Sequence, residues 1–315
     1  MDFVKPKGKV VVVGSGFVGA SSAFALTMSG LATEIVLIDI NKEKAQGEAL
    51  DLNHGLAFAG QMSITSGDYD AVKDADIIII TAGAARKPGQ TRLDLAKNNA
   101  NIIKDMVPKI MQHYNGGVIV VVSNPVDILT YLVQKISGLP EGKVFGSGTV
   151  LDSSRFRYLL SQHCNIDVKN IHGYIIGEHG DAQIPVWSAT NIAGQRFDEF
   201  CSTCTKKCGS LERQKIAKDV KESGSEIIKL KGATYYAIAF AVNRIVEAIL
   251  KNQNSIITVS SVINGSYGIS DVALSLPSIV NSNGIERIFE ISLEEEEYKK
   301  LHLAAEKLKE TIKAL

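Results

Sequence analysis

The chain has 315 residues, with 34 basic and 34 acidic side chains and a formal net charge of zero. That length suffices for two domains that each bury a core, and the neutral balance removes any global pull toward nucleic acid or an anionic membrane. The opening MDFVKPKGKVVVVGSG lacks an apolar leader with a cleavage site, and no stretch is apolar for long enough to span a bilayer, so a soluble cytoplasmic protein is expected.

In chain order, KVVVV (9–13), EIVLID (34–39), ADIIIIT (75–81) and GVIVVVS (117–123) are β-branched runs separated by helix-length segments. Near-continuous Val/Ile runs mark strands buried on both faces, and the alternation predicts an α/β chain with a doubly wound parallel sheet. After the first run comes GSGFVG, then the helical ASSAFALTMSG. Gly14, Gly16 and Gly19 allow a tight turn and close backbone approach, with Phe17 and Val18 between the last two, and the helix start offers free N–H groups to a pyrophosphate. Asp39 ends the second run, 20 residues after Gly19. A carboxylate there accepts ribose hydroxyls and repels a 2′-phosphate, which points to NAD rather than NADP.

The pattern changes near residue 147. This divides the chain into 1–147, a Rossmann-type dinucleotide domain, and 148–315, an α+β domain for the substrate. The second half opens with a helix from about residue 150 in GTVLDSSRFRYLLSQH, followed by a strand over 171–177 in IHGYIIG. A helical region over 211–250 precedes mixed strands in SIITVSSVI, DVALSLPSIV and IERIFEI. Ser292 and Glu295 have capping-box spacing for the last helix, and the glutamates at 294–297 read as its solvated first turn. Cys164 stands apart, while Cys201, Cys204 and Cys208 crowd into CSTCTKKC with no fourth ligand nearby, so reduced thiols and no metal are expected.

An NAD enzyme needs a proton-transfer group beside the carbon that exchanges hydride. His54, His113, His163 and His302 fall in stretches that read as helices, whereas His179 sits in GEHGD, a glycine-flanked loop after an apolar strand. Its imidazole needs an orienting acceptor, and LDSSR places Asp152 and Arg155 three apart on one helical face.

At this point the motifs GSGFVG, AGAARKPGQTRLDL, VVSNPVDILTY, GSGTVLDSSRFR, IIGEHGD and KGATYY, in this order, resemble the NAD-dependent lactate/malate dehydrogenases over essentially the whole chain. The resemblance implies that His179 is the acid/base, that Asp152 holds its ring, that Arg155 grips the substrate carboxylate through two parallel hydrogen bonds, and that Arg92, on a mobile lid, polarises the carbonyl. It also implies that Asn124 lies near nicotinamide and substrate with a cis bond to Pro125, that Thr234 faces the substrate's variable end, and that the protein is a homotetramer or dimer.

Substrate choice turns on Arg86, six positions before Arg92, where lactate enzymes resemble glutamine and malate enzymes arginine. An arginine desolvated in a closed pocket without an anion costs several kcal/mol, so a second substrate carboxylate, and hence malate with oxaloacetate, is expected. Thr234 points instead to lactate and pyruvate, and Arg157 with His172 matches the fructose 1,6-bisphosphate positions of allosteric bacterial lactate dehydrogenases. Two rival readings are set aside. Tyr131 and Lys135 have the Y-x3-K spacing of short-chain reductases without that family's glycine pattern, and a non-catalytic NAD sensor has no need of His179, Asp152, Arg155 and Arg92 together.

Overall fold

The computed structural model describes residues 8–84, 91–204 and 209–315; the side chain of Arg92 is outside that description. The first half runs β1 (Lys9–Val13), α1 (Phe17–Ser29), β2 (Glu34–Ile38), α2 (Lys42–His54), β3 (Ser63–Ser66), β4 (Ile77–Ile80), α3 (Arg92–Met111), β5 (Val118–Val121), α4 (Val126–Ser137) and β6 (Val144–Gly146). The six strands are parallel in the order β3-β2-β1-β4-β5-β6, the doubly wound sheet the Val/Ile runs predict.

Period-2 alternation explains why these runs are apolar throughout. Val10 and Val12 of β1 enter a core with Ala23 and Leu26 of α1 and Ala45 and Ala49 of α2, while Val11 and Val13 enter another with Ile103 and Val107 of α3 and Leu129 and Val133 of α4. Each fully buried valine contributes on the order of 1.5–3 kcal/mol, so a polar residue anywhere from Val10 to Val13 has no solvated face to occupy.

The second half runs α5 (Val150–Cys164), β7 (Ile171–His172), β8 (Ile175–Gly177), β9 (Gln183–Pro185), β10 (Asn191–Ile192), β11 (Gln195–Arg196), α6 (Phe197–Thr203), α7 (Ser210–Lys231), α8 (Tyr236–Leu250), β12 (Ser255–Asn264), β13 (Ser270–Asn281), β14 (Gly284–Ile288) and α9 (Glu295–Lys313). Its strands extend the first sheet: β6 pairs antiparallel with β12, followed by β13, β8 and β9, with β14 also on β13. Helix α8 crosses back over α1, inserting Val242, Ile245, Val246 and Ile249 into the core under β1.

Four local readings are corrected. The 171–177 run is two strands in different sheets, split where Gly173 passes so close to Phe156 that a Cβ would lie 2.8 Å from its ring. The 211–250 region is two helices, broken after Lys231 at Gly232, whose φ is +85°. His113 lies in the turn just beyond α3. The capping box of α9 is Glu294 with Glu297 rather than Ser292 with Glu295, and Glu297 is buried: its carboxylate accepts from Glu294 N at 2.9 Å and from Ser188 N at 3.2 Å. Partnered acceptors let that glutamate leave water, while Glu295 and Glu296 stay out and pair with Lys299 and Lys300.

Candidate active site

The glycine loop is shaped by two contacts that exclude side chains and one that leaves room. Gly14 has φ +107°, and a Cβ there would lie 2.5 Å from Ala82 N. At Gly19 a Cβ would lie 1.8 Å from Gly14 O, so only glycine lets α1 start this close to β1. Gly16, the N-cap of α1, has nothing within 4 Å of its would-be Cβ, and no side chain caps the helix or places an acid in its first turn. The opening backbone N–H groups therefore face open space, and the nearby Ser15 hydroxyl is buried without a partner among the described residues. Asp39, at the tip of β2, holds the loop by accepting from Ser15 N at 2.6 Å and Asn41 N at 2.9 Å. This donor-rich cradle with a carboxylate at its rim fits a dinucleotide pyrophosphate and ribose. Phe17 is exposed and stacks on Tyr235 with ring centroids 5.3 Å apart, and Val18 packs against the core.

Opposite substitutions separate the two kinds of glycine. Gly19→Ala is expected to lose about 2–3 kcal/mol of stability, roughly 5 °C in a thermal melt, together with NADH affinity. Gly16→Ala should melt like the parent yet bind NADH at least about tenfold more weakly by fluorescence titration, because its methyl would fill the space left for phosphate.

Asn124 follows β5 and joins Pro125 through a cis peptide bond. Its carbonyl accepts from the buried Asn99 side chain at 2.6 Å, and Asn99 also accepts from Ala84 N at 2.8 Å, tying α3 to the loop after β4.

Helix α5 carries Asp152 in its first turn and Arg155 one turn on, and Arg155 Nη1 donates to Asp152 Oδ1 at 3.0 Å. Gly177, with φ +88°, ends β8 and turns the chain so that His179 Nδ1 meets the other Asp152 oxygen at 2.5 Å. Nδ1–H donates to the carboxylate, which leaves Nε2 as the ring atom that exchanges a proton. Ser153 Oγ accepts from Ile175 N at 2.9 Å and so fixes α5 to β8. Asp152 is 4% exposed at its side chain, Arg155 14% and His179 26%, so the cluster opens to solvent at the imidazole and, less, at the guanidinium, while the carboxylate between them is closed off.

These contacts set the charges. Burial pushes the His179 imidazole down, but the Asp152 charge and hydrogen bond, helped by Asp127, raise it to about 9 against the repulsion of Arg155. Burial pushes Asp152 up, and is outweighed by His179 and Arg155, which hold it below the usual carboxylate range. The site can therefore keep a proton on a ring beside a guanidinium, which suits an anionic acceptor that becomes an alkoxide.

Thr234 lies in the link between α7 and α8, next to Tyr235 and its Phe17 stack. Helix α7 passes the arginine with its glycine edge: a Cβ on Gly224 would be 3.7 Å from Arg155 Nη1 and Nη2. Arg86 lies outside the described residues, as does the side chain of Arg92, whose backbone opens α3 behind the N-cap Thr91. Arg157 and His172 lie on the adjoining α5 and β7. Arg157 Nε donates to Ser153 O at 3.3 Å, burial lowers its pKa, and among the described residues no carboxylate pairs with it. Cys201 is buried, Cys204 is partly so, and Cys208 is outside the description. Tyr131 donates to Asp271 at 3.0 Å, and burial together with that carboxylate pushes its phenol up, the reverse of an activated tyrosine.

The residue reading missed Asp127, Asn99 and Gly224. Asp127 is 3% exposed and accepts from His179 N at 2.7 Å and from Ser260 Oγ at 2.6 Å. Its signal was present in VVSNPVDILTY, where a lone acid enters an otherwise apolar helix start.

A phosphate cradle and a buried imidazole–carboxylate–guanidinium cluster on one sheet define the class of NAD-dependent dehydrogenases. The chain belongs to the lactate/malate dehydrogenase family: that family's NAD-binding domain matches residues 8–146 and its alpha/beta C-terminal domain matches residues 149–315. It is an oxidoreductase acting on a small 2-hydroxy or 2-oxo acid, and among its described residues no helix is long and apolar enough to cross a membrane.

Among its relatives, the L-lactate dehydrogenase of Thermoanaerobacterium saccharolyticum is 55% identical over 98% of this chain and 99% of its own. A solved L-lactate dehydrogenase from Clostridium thermocellum is 55% identical with a TM-score of 0.88, covering 98% of this chain and 99% of that one. The minor L-lactate dehydrogenase of Enterococcus mundtii is 44% identical with a TM-score of 0.95, covering 99% of each. Relatives from 50% to 56% identical share the name L-lactate dehydrogenase, which overturns the malate expectation drawn from Arg86. That expectation required the guanidinium to be desolvated in a closed pocket. A long loop side chain can keep its charged head in water, and the charge balance then selects nothing.

Proposed function

We propose that the protein is an NAD-dependent L-lactate dehydrogenase, interconverting L-lactate and pyruvate. The observation that carries the substrate choice is the shared name of relatives at 50–56% identity, and Thr234 agrees with it. In this reading residues 1–147 hold NAD through Gly14, Gly16, Phe17, Val18, Gly19, Asp39 and Asn124, and residues 148–315 hold the substrate; the family-domain matches, ending at 146 and resuming at 149, support that division. The bound nicotinamide supplies or takes up the hydride.

Arg155 binds the pyruvate carboxylate through N–H groups that Asp152 leaves free. His179 donates the Nε2 proton to the carbonyl oxygen as C2 is reduced, and Asp152 stabilises the imidazolium until then. Arg92 and Asn124 polarise and orient the carbonyl, Thr234 borders the methyl, and the protein works as a cytoplasmic homo-oligomer, dimer or tetramer, as the resemblance implies. Arg157, half-buried with no carboxylate paired to it among the described residues, favours an anionic effector there with His172.

The test is NADH oxidation with pyruvate and oxaloacetate side by side, each with and without fructose 1,6-bisphosphate. Pyruvate should give the higher kcat/KM by about tenfold or more, with the bisphosphate lowering KM for pyruvate. A tenfold preference for oxaloacetate would overturn the reading.

A further inference from the structure

The buried group at the active site does not balance with the residues so far given roles. Asp152 faces one permanent cation, Arg155, at 3.0 Å, and the pair is neutral. Asp127 adds a second carboxylate from α4, and among the described residues no lysine or arginine pairs with it. Its neighbours are the His179 backbone N–H at 2.7 Å, Ser260 Oγ of β12 at 2.6 Å and Ser275 Oγ of β13 at 3.5 Å. The other charged groups around the ring are Glu178 beside it and the Lys221–Asp181 pair, 3.5 Å apart, between α7 and the same loop. With a neutral imidazole the three groups Asp127, Asp152 and Arg155 carry one net negative charge; protonating His179 cancels it.

We propose that Asp127 is a positioning residue for the acid/base: its carboxylate anchors the His179 backbone and supplies the counter-charge that favours a protonated ring. The hydrogen bond to His179 N acts directly after the Gly177 turn and so fixes where the ring leaves the chain. The charge acts through space, in a group that is nearly closed to water. Burial pushes Asp127 itself up to about 6, against the Ser260 and His179 hydrogen bonds, so above neutral pH it is ionised and available for this task. The protonated ring is the form that receives the keto acid, and Asp127 thereby biases the free enzyme toward reduction. This rests on the hydroxy-acid dehydrogenase reading, and on His179 as its acid/base.

The experiment is kcat/KM for pyruvate reduction at saturating NADH, from pH 6 to 10, in the parent, Asp127→Asn and Asp127→Glu. Asparagine keeps an oxygen for the His179 N–H, removes the charge, and turns an NH2 donor toward Ser260 Oγ, whose hydroxyl can rotate to accept. Its alkaline limb should therefore move acidward by about one unit, a roughly fivefold loss near pH 9 that approaches tenfold at pH 10, with little change near pH 6. Asp127→Glu restores the charge and should return the limb toward the parent position. Asp127→Ser, a second neutral variant, reports the same shift if the asparagine chain is unstable. A limb that stays in place while rates fall equally at every pH would overturn the proposal, because that is the signature of lost packing alone. Oxaloacetate is run beside pyruvate: a parent that prefers oxaloacetate defeats the substrate reading, while the limb shift on whichever acid is reduced still decides the role of Asp127.

Discussion

His179→Asn is expected to lower the single-turnover rate of pyruvate reduction by about 10²–10⁴, the usual contribution of a positioned acid/base, while NADH binds within roughly threefold of the parent. The asparagine amide still reaches Asp152 but has no proton to exchange at the substrate face. Stopped-flow NADH oxidation and a fluorescence titration check the two halves; a rate within tenfold of the parent would remove His179 from the chemistry. The sign of the pH dependence follows from the raised imidazole. A folded-state value of about 9 above an unfolded value near 6.5 means that stabilisation by the charged ring is complete below about 6.5. It is lost as pH climbs through about 9. Pyruvate reduction should fall over the same upper range, lactate oxidation should gain there, and the asparagine variant should lose both trends.

Arg155→Lys is the second large effect. The lysine keeps a positive charge for Asp152 but offers a point charge where the guanidinium offers a planar fork. A loss of about 3 kcal/mol, more than a hundredfold in kcat/KM, is expected for a buried charged contact of this kind, chiefly as a raised KM for pyruvate. Arg155→Ala goes further, because it also strips Asp152, 4% exposed at its side chain, of one of its two cationic partners. The depressed Asp152 contributes stability that is present above its unfolded value near 3.9 and lost as pH falls through its lower folded value. In Arg155→Ala that loss should begin at higher pH, which acid-unfolding curves will show. Equal KM values in lysine variant and parent would place the carboxylate elsewhere.

The parallel sheet was readable because burial on both faces leaves a plain signal, four Val/Ile runs at helix-length spacing, and the glycine loop because GSGFVG sits between a strand and a helix. His179, Asp152 and Arg155 were readable from the family motifs, and the 2.5 Å and 3.0 Å contacts bring them together. The lone acid Asp127 could be seen in VVSNPVDILTY but its role could not, since its partners Ser260 and Ser275 lie on strands 133 and 148 residues away, and no local pattern reports such pairings. The α9 cap shifted for the same reason: Ser188, 109 residues distant, makes Glu297 the better-partnered acid. Arg86 failed as a substrate reader because one charge in a loop says nothing about where its head group rests.

The seam between the two halves has a consequence for building hybrids of this enzyme with its relatives. β6 is shared, with β5 on one edge and β12 on the other, and at the seam Gly146 leaves no room for a Cβ, which would lie 2.4 Å from Thr130 Oγ1. Gly148, at φ +51°, presses equally close to Ser260 N. Those two contacts each stay on one side of residue 147, but Gly146 also pairs with Ser260 of β12, where its Cβ would lie 3.3 Å from Ser260 Cβ, so a crossover at 147 would part β6 from the strand it must fit. Exchangeable cassettes would have to carry β6, Thr130 of α4 and the Ser260 region of β12 as one block, so the junction between the two halves of this chain is a poor place to splice it.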